Sequence, residues 1–181
     1  MARPRTIDRE TLLDAAERVV TRQGAAALSF ASVATEAGLS KASVQSAFGS
    51  RDALIDALIG RWMAHEAARF RAMLAEETTP EARLNAHLRC TYEELHNGSG
   101  QRVASLLAIL ASAGLGSDSL RQWYQARIGD LTATTEAERQ RRTAYLAAEG
   151  AYFLRCIVGL EADAAVWSDI FADLQAETPR D

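Results

Sequence analysis

Apolar positions along the chain recur at helical spacing, and no run alternates with the period of two that a strand requires. Residues 29 to 55 predict three short helical segments separated by two tight breaks. The first places Phe30, Val33, Ala34 and Ala37 on one face behind Ser29, whose hydroxyl can accept from an orphan backbone N–H. Gly38 can end it in the left-handed conformation, with Leu39 packing inward and Ser40 capping the second segment. Val44 and Phe48, four apart, form the buried side of that segment. Gly49-Ser50 breaks the chain again, and Ser50 opens a fourth helix predicted to about Glu77, roughly 40 Å long at 1.5 Å per residue.

Five further helices follow. Thr79-Pro80-Glu81 starts a fifth, with proline at its first position, and Asn97-Gly98-Ser99-Gly100 ends it. A sixth spans about Gln101 to Ala113, a seventh Ser117 to about Leu131, an eighth Thr135 to about Val158, and a ninth about Ala162 to Ala176. No repeat, low-complexity segment or long linker interrupts them.

The second short segment leaves Lys41, Ala42, Ser43, Gln45 and Ser46 on its outer side. Lys41 is the only lysine in the chain; the other basic side chains are arginine. A helix with a short polar face and an apolar anchor suits a DNA major groove. An ordinary helical hairpin explains the caps equally well. It does not explain why no acid lies between Glu36 and Asp52.

Residues 8 to 60 resemble the DNA-binding domain of the TetR family of bacterial transcriptional regulators. The matching positions are Leu12, Ala15, Ala16, Gly24, Ser29, Ala34, Ala37, Gly38, Leu39, Ser40, Phe48, Ser50, Arg51 and Leu54. The resemblance implies an all-α fold of about nine helices. A three-helix helix-turn-helix head, residues 1–54, is joined by the long fourth helix to a ligand-binding and dimerisation domain, residues 55–181. It implies DNA contacts from Ser29, Lys41, Ala42, Ser43, Gln45, Ser46 and Arg51, with Lys41 and Arg51 on phosphates. Two positions depart from the family pattern: Gln45 stands where an aromatic is usual, and Ser46 where a histidine is frequent. Gln45 could bond a phosphate or read adenine through a bidentate pair. A later stretch, Ala148-Glu149-Gly150-Ala151-Tyr152-Phe153-Leu154-Arg155, resembles one branch of the family.

Charge fits a localised DNA contact. The net charge is −4, yet residues 1 to 55 hold seven basic and six acidic side chains, leaving −5 for the rest. Arg3 and Arg5 could form an arm that touches phosphates or the minor groove; a solvated tail is the ordinary alternative. The start of the chain lacks a signal-peptide core, and no apolar run of membrane-spanning length is free of charge. Cys90 and Cys156 lie in apolar helical contexts, as buried thiols of a cytoplasmic protein would.

The last two helices carry the pattern of an oligomer interface. Trp167, Ile170, Phe171 and Leu174 form a narrow apolar stripe, and Ala144 to Leu160 is apolar nearly all round. The family resemblance implies a homodimer through these helices. The expected interface is Leu146, Gly150, Phe153, Leu154 and Ile157 together with the stripe. It also implies a pocket for a small-molecule effector, with walls drawn from Trp62, Phe70, His87, Cys90, Leu106, Leu110, Trp123, Tyr124, Tyr145, Glu149 and Tyr152. Tyr145, Glu149, Tyr152 and Cys156 share one helical face. A carboxylate there is costly unless paired, so Glu149 meets either a cationic or polar ligand group or an internal partner.

Enzymatic chemistry has little support. His65, His87 and His96 are scattered, no His/Cys cluster has metal spacing, and no phosphate-binding glycine loop is present. No metal or cofactor is expected. The sequence therefore predicts a ligand-responsive regulator of double-stranded operator DNA, most simply a repressor. The alternatives are a helical ligand-binding or structural dimer whose head does not bind DNA, and an enzyme using Cys90 or Glu149.

Overall fold

The computed structural model describes residues 8–74, 76–97, 104, 117–129 and 131–176. Eight α-helices and no strands occur among them: α1 (Arg9–Gln23), α2 (Phe30–Ala37), α3 (Lys41–Phe48), α4 (Arg51–Leu74), α5 (Pro80–His96), α6 (Ser117–Ile128), α7 (Glu136–Tyr152) and α8 (Ala164–Ala176). The helix predicted over Gln101 to Ala113 lies outside the described residues. The chain divides into two compact units. The first holds α1 to α3 and α4 as far as Met63; the second holds α4 from Ala64, together with α5 to α8.

The first unit is built on small and branched apolar residues. Leu12, Ala15, Ala16 and Val19 on α1, Val33 on α2, Val44 on α3, and Leu54 and Ile55 on α4 are fully buried. These faces follow the 3.6-residue period of the sequence. The helix ends are closed by local chemistry. Asp8 caps α1 by accepting from the Glu10 N–H at 3.1 Å. Ser29 and Ser32 form a reciprocal capping box at the start of α2. Gly38 ends α2 with φ 67°, and the Leu39 N–H reaches back to the Ala34 carbonyl at 2.9 Å, the bond of a Schellman turn. The helices are also tied by ion pairs. Glu36 on α2 accepts from Arg18 at 2.7 Å, and Arg61 on α4 pairs with Asp14 at 2.6 Å and Glu17 at 2.5 Å on α1.

The second unit packs α5 against α7 and α8. Thr79 caps α5 and Pro80 occupies its first turn, where a missing N–H costs nothing. Leu84, His87, Leu88, Thr91 and Leu95 are buried along α5. Tyr92 lies on Phe171 of α8, ring centroids 5.5 Å apart, and its hydroxyl is 2.9 Å from Ser168 Oγ. The α-helical part of the predicted eighth helix ends earlier than expected. After Tyr152 the chain makes a π turn over Phe153–Ile157, with the Val158 N–H bonded to the Phe153 carbonyl at 3.0 Å.

A buried charge cluster joins α4 to α5. Arg69 bonds Glu66 at 2.8 Å, Glu94 at 3.2 Å and Glu93 at 3.1 Å. Burial, then a hydrogen bond with Glu66, pushes the Glu94 carboxyl up to about 9. Burial also raises Glu66, but the hydrogen bond with Glu94 and the Arg69 guanidinium outweigh it and hold Glu66 below its ordinary value. The pair therefore shares one proton at neutral pH.

A raised folded-state value means that the native chain binds a proton the unfolded chain releases. The Glu94 contribution is thus complete below the unfolded value near 4.5 and is lost as pH rises toward 9. Glu94→Gln mimics the protonated group and should remove this dependence. Urea midpoints at pH 5 and pH 9 should fall more with rising pH for the wild type than for Glu94→Gln. Parallel pH profiles would rule out the shared proton.

Candidate nucleic-acid interface and ligand site

The turn between α2 and α3 aims one face of α3 outward. Val44 and Phe48 anchor the helix inside the unit, and the Arg9 guanidinium lies 4.8 Å from the Phe48 ring centre. Lys41, Ala42, Gln45 and Ser46 are exposed on the opposite side. Ser43 is half-buried, and its N–H donates to Ser40 Oγ at 3.1 Å while the two hydroxyls meet at 2.8 Å. Ser40 caps α3, and Ser43 is the residue it caps. Ser29 is likewise half-buried and engaged in capping α2. Arg51 is exposed, and its Nε donates to the Leu28 carbonyl at 2.9 Å, which fixes the guanidinium beside the entry to α2. Arg3 and Arg5 lie outside the described residues.

Leu39 departs from expectation. It is 39% exposed, not packed inward. Its N–H closes the Schellman turn on the Ala34 carbonyl, while its side chain stays at the surface before Ser40 starts α3. The neighbouring electrostatics favour an anion on this face. Glu36 is engaged by Arg18 and Arg22, and no carboxylate follows it before Asp52.

The residues expected to wall a pocket fall into separate groups. Trp62 is half-buried in the first unit, and Leu106 and Leu110 lie outside the described residues. In the second unit, His87, Tyr124, Tyr145 and Glu149 come together. The His87 and Tyr145 rings stack at 4.0 Å with an interplanar angle of 19°. Glu149 Oε2 accepts from the Tyr124 hydroxyl at 3.1 Å, and Oε1 lies 3.2 Å from His87 Nε2, too oblique for a hydrogen bond. His87 is 2% exposed, and burial drives its imidazole below the ordinary value although Glu149 opposes the shift. Burial and the Glu149 charge raise Tyr124 and Tyr145, so both hydroxyls stay protonated and can donate. Tyr152 is buried further along α7.

Phe70 and Cys90 form a different cluster, with Ala86 and Met73. The Cys90 thiol lies 3.4 Å from Met73 Sδ and is pushed up by burial, so it stays a thiol. That environment does not make a nucleophile. Trp123 meets Tyr124 edge-on at 4.9 Å, and the Arg127 guanidinium lies 4.6 Å from the centres of both Trp123 and Phe70.

The sequence reading passed over the arginines. Arg83, Arg127, Arg141 and Arg142 line one cleft with Tyr145. Arg127, set between Trp123, Tyr124 and Ile128 in α6, was the available sign: an arginine amid bulky apolar neighbours needs a reason to be there.

The end of α7 and the start of α8 expose large apolar side chains: Leu146, Phe153, Leu154, Ile157, Val158, Leu160 and Val166. Gly150 lies among them, and a Cβ added there would meet nothing within 4 Å. Trp167 and Phe171 are buried inside the subunit, the latter against Tyr92, while Ile170 and Leu174 are half-buried. The ninth-helix stripe thus turns partly onto α5.

A capped helix-turn-helix head followed by a wholly helical second unit is the build of an α-helical transcriptional regulator. Residues 12–58 match the family described as "Bacterial regulatory proteins, tetR family", and residues 81–179 match "Tetracyclin repressor-like, C-terminal domain". The second match alone spans more than half of the chain, and the chain belongs to the TetR family. Solved structures share the fold. A TetR transcription regulator from Haloarcula marismortui ATCC 43049 is 20% identical with a TM-score of 0.71, covering 93% of this chain and 95% of that one. The multidrug binding protein EbrR, complexed with imidazole, is 22% identical with a TM-score of 0.67 over 96% of both chains. A regulator from Streptomyces coelicolor A3(2) is 21% identical with a TM-score of 0.60, covering 92% of this chain and 97% of that one. No curated protein matches the sequence. Among the described residues, no helix is long and apolar enough to cross a membrane.

Proposed function

We propose that the chain is a homodimeric repressor that holds operator DNA through α3 and lets go when a small molecule binds the second unit. Residues 1–54 would act as the DNA-reading head, and residues 55–181 would bind effector and partner. The observation that carries the DNA reading is the outer face of α3, where Lys41, Ala42, Gln45 and Ser46 stand exposed over the Val44 and Phe48 anchor. Lys41 and Arg51 supply phosphate contacts, and Gln45 and Ser46 meet bases or the nearby backbone. The exposed apolar band around Phe153 supplies the contact between subunits. A related fold, EbrR, has been seen with imidazole and with ethidium, which supports a ligand-bearing second unit here. Release follows if the ligand binds the two settings of α4 with different affinity; equal affinity would shift nothing.

Fluorescence anisotropy on duplexes flanking the gene, against a scrambled duplex, tests this. Lys41→Ala should weaken specific binding about tenfold and reduce the salt slope by about one unit. Gln45→Ala should change sequence preference if Gln45 reads a base, and weaken all duplexes alike if it only positions the helix. Equal, weak binding of the wild type to every duplex, including those recovered from a random pool, would favour a helical dimer whose head does not read DNA.

A further inference from the structure

The second unit contains a cleft of about 470 Å³, within the size range of small-molecule sites. Leu84, Ile128 and Leu131 supply apolar wall. The polar wall is mainly cationic among the described residues: Arg83, Arg127, Arg141 and Arg142, against Glu138. Two of these side chains are already engaged by the protein. Arg141 pairs with Glu81, and Arg83 donates to the Ala126 and Arg127 carbonyls. Glu138 is consumed at the start of α7, where its Oε2 accepts from the Thr134 N–H at 2.7 Å, the Thr135 N–H at 2.9 Å and the Thr134 hydroxyl at 2.9 Å. Arg142 donates only to the Leu131 carbonyl at 3.1 Å among the described residues. Arg127 meets the rings of Phe70 and Trp123; among the described residues it forms no ion pair, though its charge acts on Glu66 and Glu94.

Two side chains lining this cleft hold buried polar atoms without a partner. Tyr145 is 6% exposed, with its hydroxyl unbonded, and Arg127 is 7% exposed, with its Nε unbonded. Leaving such groups unmet costs more than most hydrogen bonds return, so these two orphaned donors, beside the Arg142 guanidinium, call for an acceptor from outside. The apolar wall adds that the acceptor has a non-polar body.

We infer that this cleft is a binding site for a small organic carboxylate, its charge held by Arg127 and Arg142 and one oxygen accepting from the Tyr145 hydroxyl. A planar carboxylate matches the guanidinium fork, and Leu84, Ile128 and Leu131 cover its apolar part. The inference deepens the proposed ligand response by naming the ligand class. Tyr145 also offers a route inward, since its ring stacks on His87 beside Glu149.

Benzoate is the probe, titrated calorimetrically into the full-length protein at constant ionic strength, with neutral benzamide as the control. Benzoate should bind saturably and at least about tenfold more tightly than benzamide. Tyr145→Phe keeps the ring on His87, and Arg142→Gln alters a side chain at the cleft margin; each should weaken benzoate about tenfold, and Arg142→Gln should leave benzamide unchanged. Thermal unfolding of both variants checks that they are folded. Benzoate binding no better than benzamide, or indifferent to both folded variants, overturns the inference. The regulator reading is judged separately, by DNA binding without benzoate. DNA binding without benzoate binding defeats only the cleft assignment, and the reverse defeats only the regulator reading.

Discussion

Phe153→Asp is expected to turn the dimer into monomers and to weaken operator binding by at least about 100-fold, the avidity lost when two linked half-site contacts become one. Phe153 is 51% exposed within a band that includes Leu146, Leu154 and Ile157. Inside one subunit the aspartate stays in water and costs little, because exposed substitutions usually change stability by about 0.5 kcal/mol or less. In a dimer it would be sealed among apolar side chains, with Arg155 of its own turn held over the Trp167 ring, which costs several kcal/mol. Helicity and monomer melting should therefore survive while association fails. Sedimentation equilibrium separates the outcomes: the wild type at twice the chain mass, Phe153→Asp at the chain mass. A variant that remains dimeric would mean that the subunits meet elsewhere.

Arg69→Met should be the most damaging single change to stability, about 3–5 kcal/mol at neutral pH. One guanidinium holds Glu66, Glu93 and Glu94, and Glu66 and Glu94 are nearly buried. Methionine keeps much of the volume and leaves the buried Glu66 charge without the Arg69 guanidinium. The loss should shrink at acidic pH. The Glu66 value is lowered in the folded wild type, so its contribution is present above the unfolded value near 4.5 and disappears as pH falls through the folded one. Without Arg69 that contribution is gone at every pH, and protonation of Glu66 then removes the uncompensated charge. Urea unfolding at pH 7 and pH 4 should show the wild-type advantage contracting. An equal deficit at both values would assign the cost to lost packing.

Much of the head was legible because its determinants are local. Ser29, Gly38 and Ser40 act within a turn of their own positions, and Val44 and Phe48 follow one helical face, so neither needs knowledge of distant neighbours. Leu39 matches an apolar pattern yet stays at the surface, since periodicity alone does not say which apolar residue a turn buries. The second unit was harder. Periodicity finds the stripe at Trp167, Ile170, Phe171 and Leu174, but it cannot say that Tyr92 of α5 receives Phe171. The π turn at Phe153–Ile157 leaves no mark in a pattern read at 3.6 residues per turn. The arginine cleft was invisible because Arg83, Arg127 and Arg142 come from three parts of the chain. Each alone looks like a solvated surface charge.

The central claim is that two copies of the chain present α3 to successive turns of DNA. Selection from a random-sequence duplex pool by the purified full-length protein tests it most directly. The account predicts a two-fold symmetric motif with half-sites about 34–36 Å apart, or a multiple of that, and loss of its enrichment in Lys41→Ala. Recovery of unrelated sequences, or of a single asymmetric half-site bound equally well by Lys41→Ala, would contradict it.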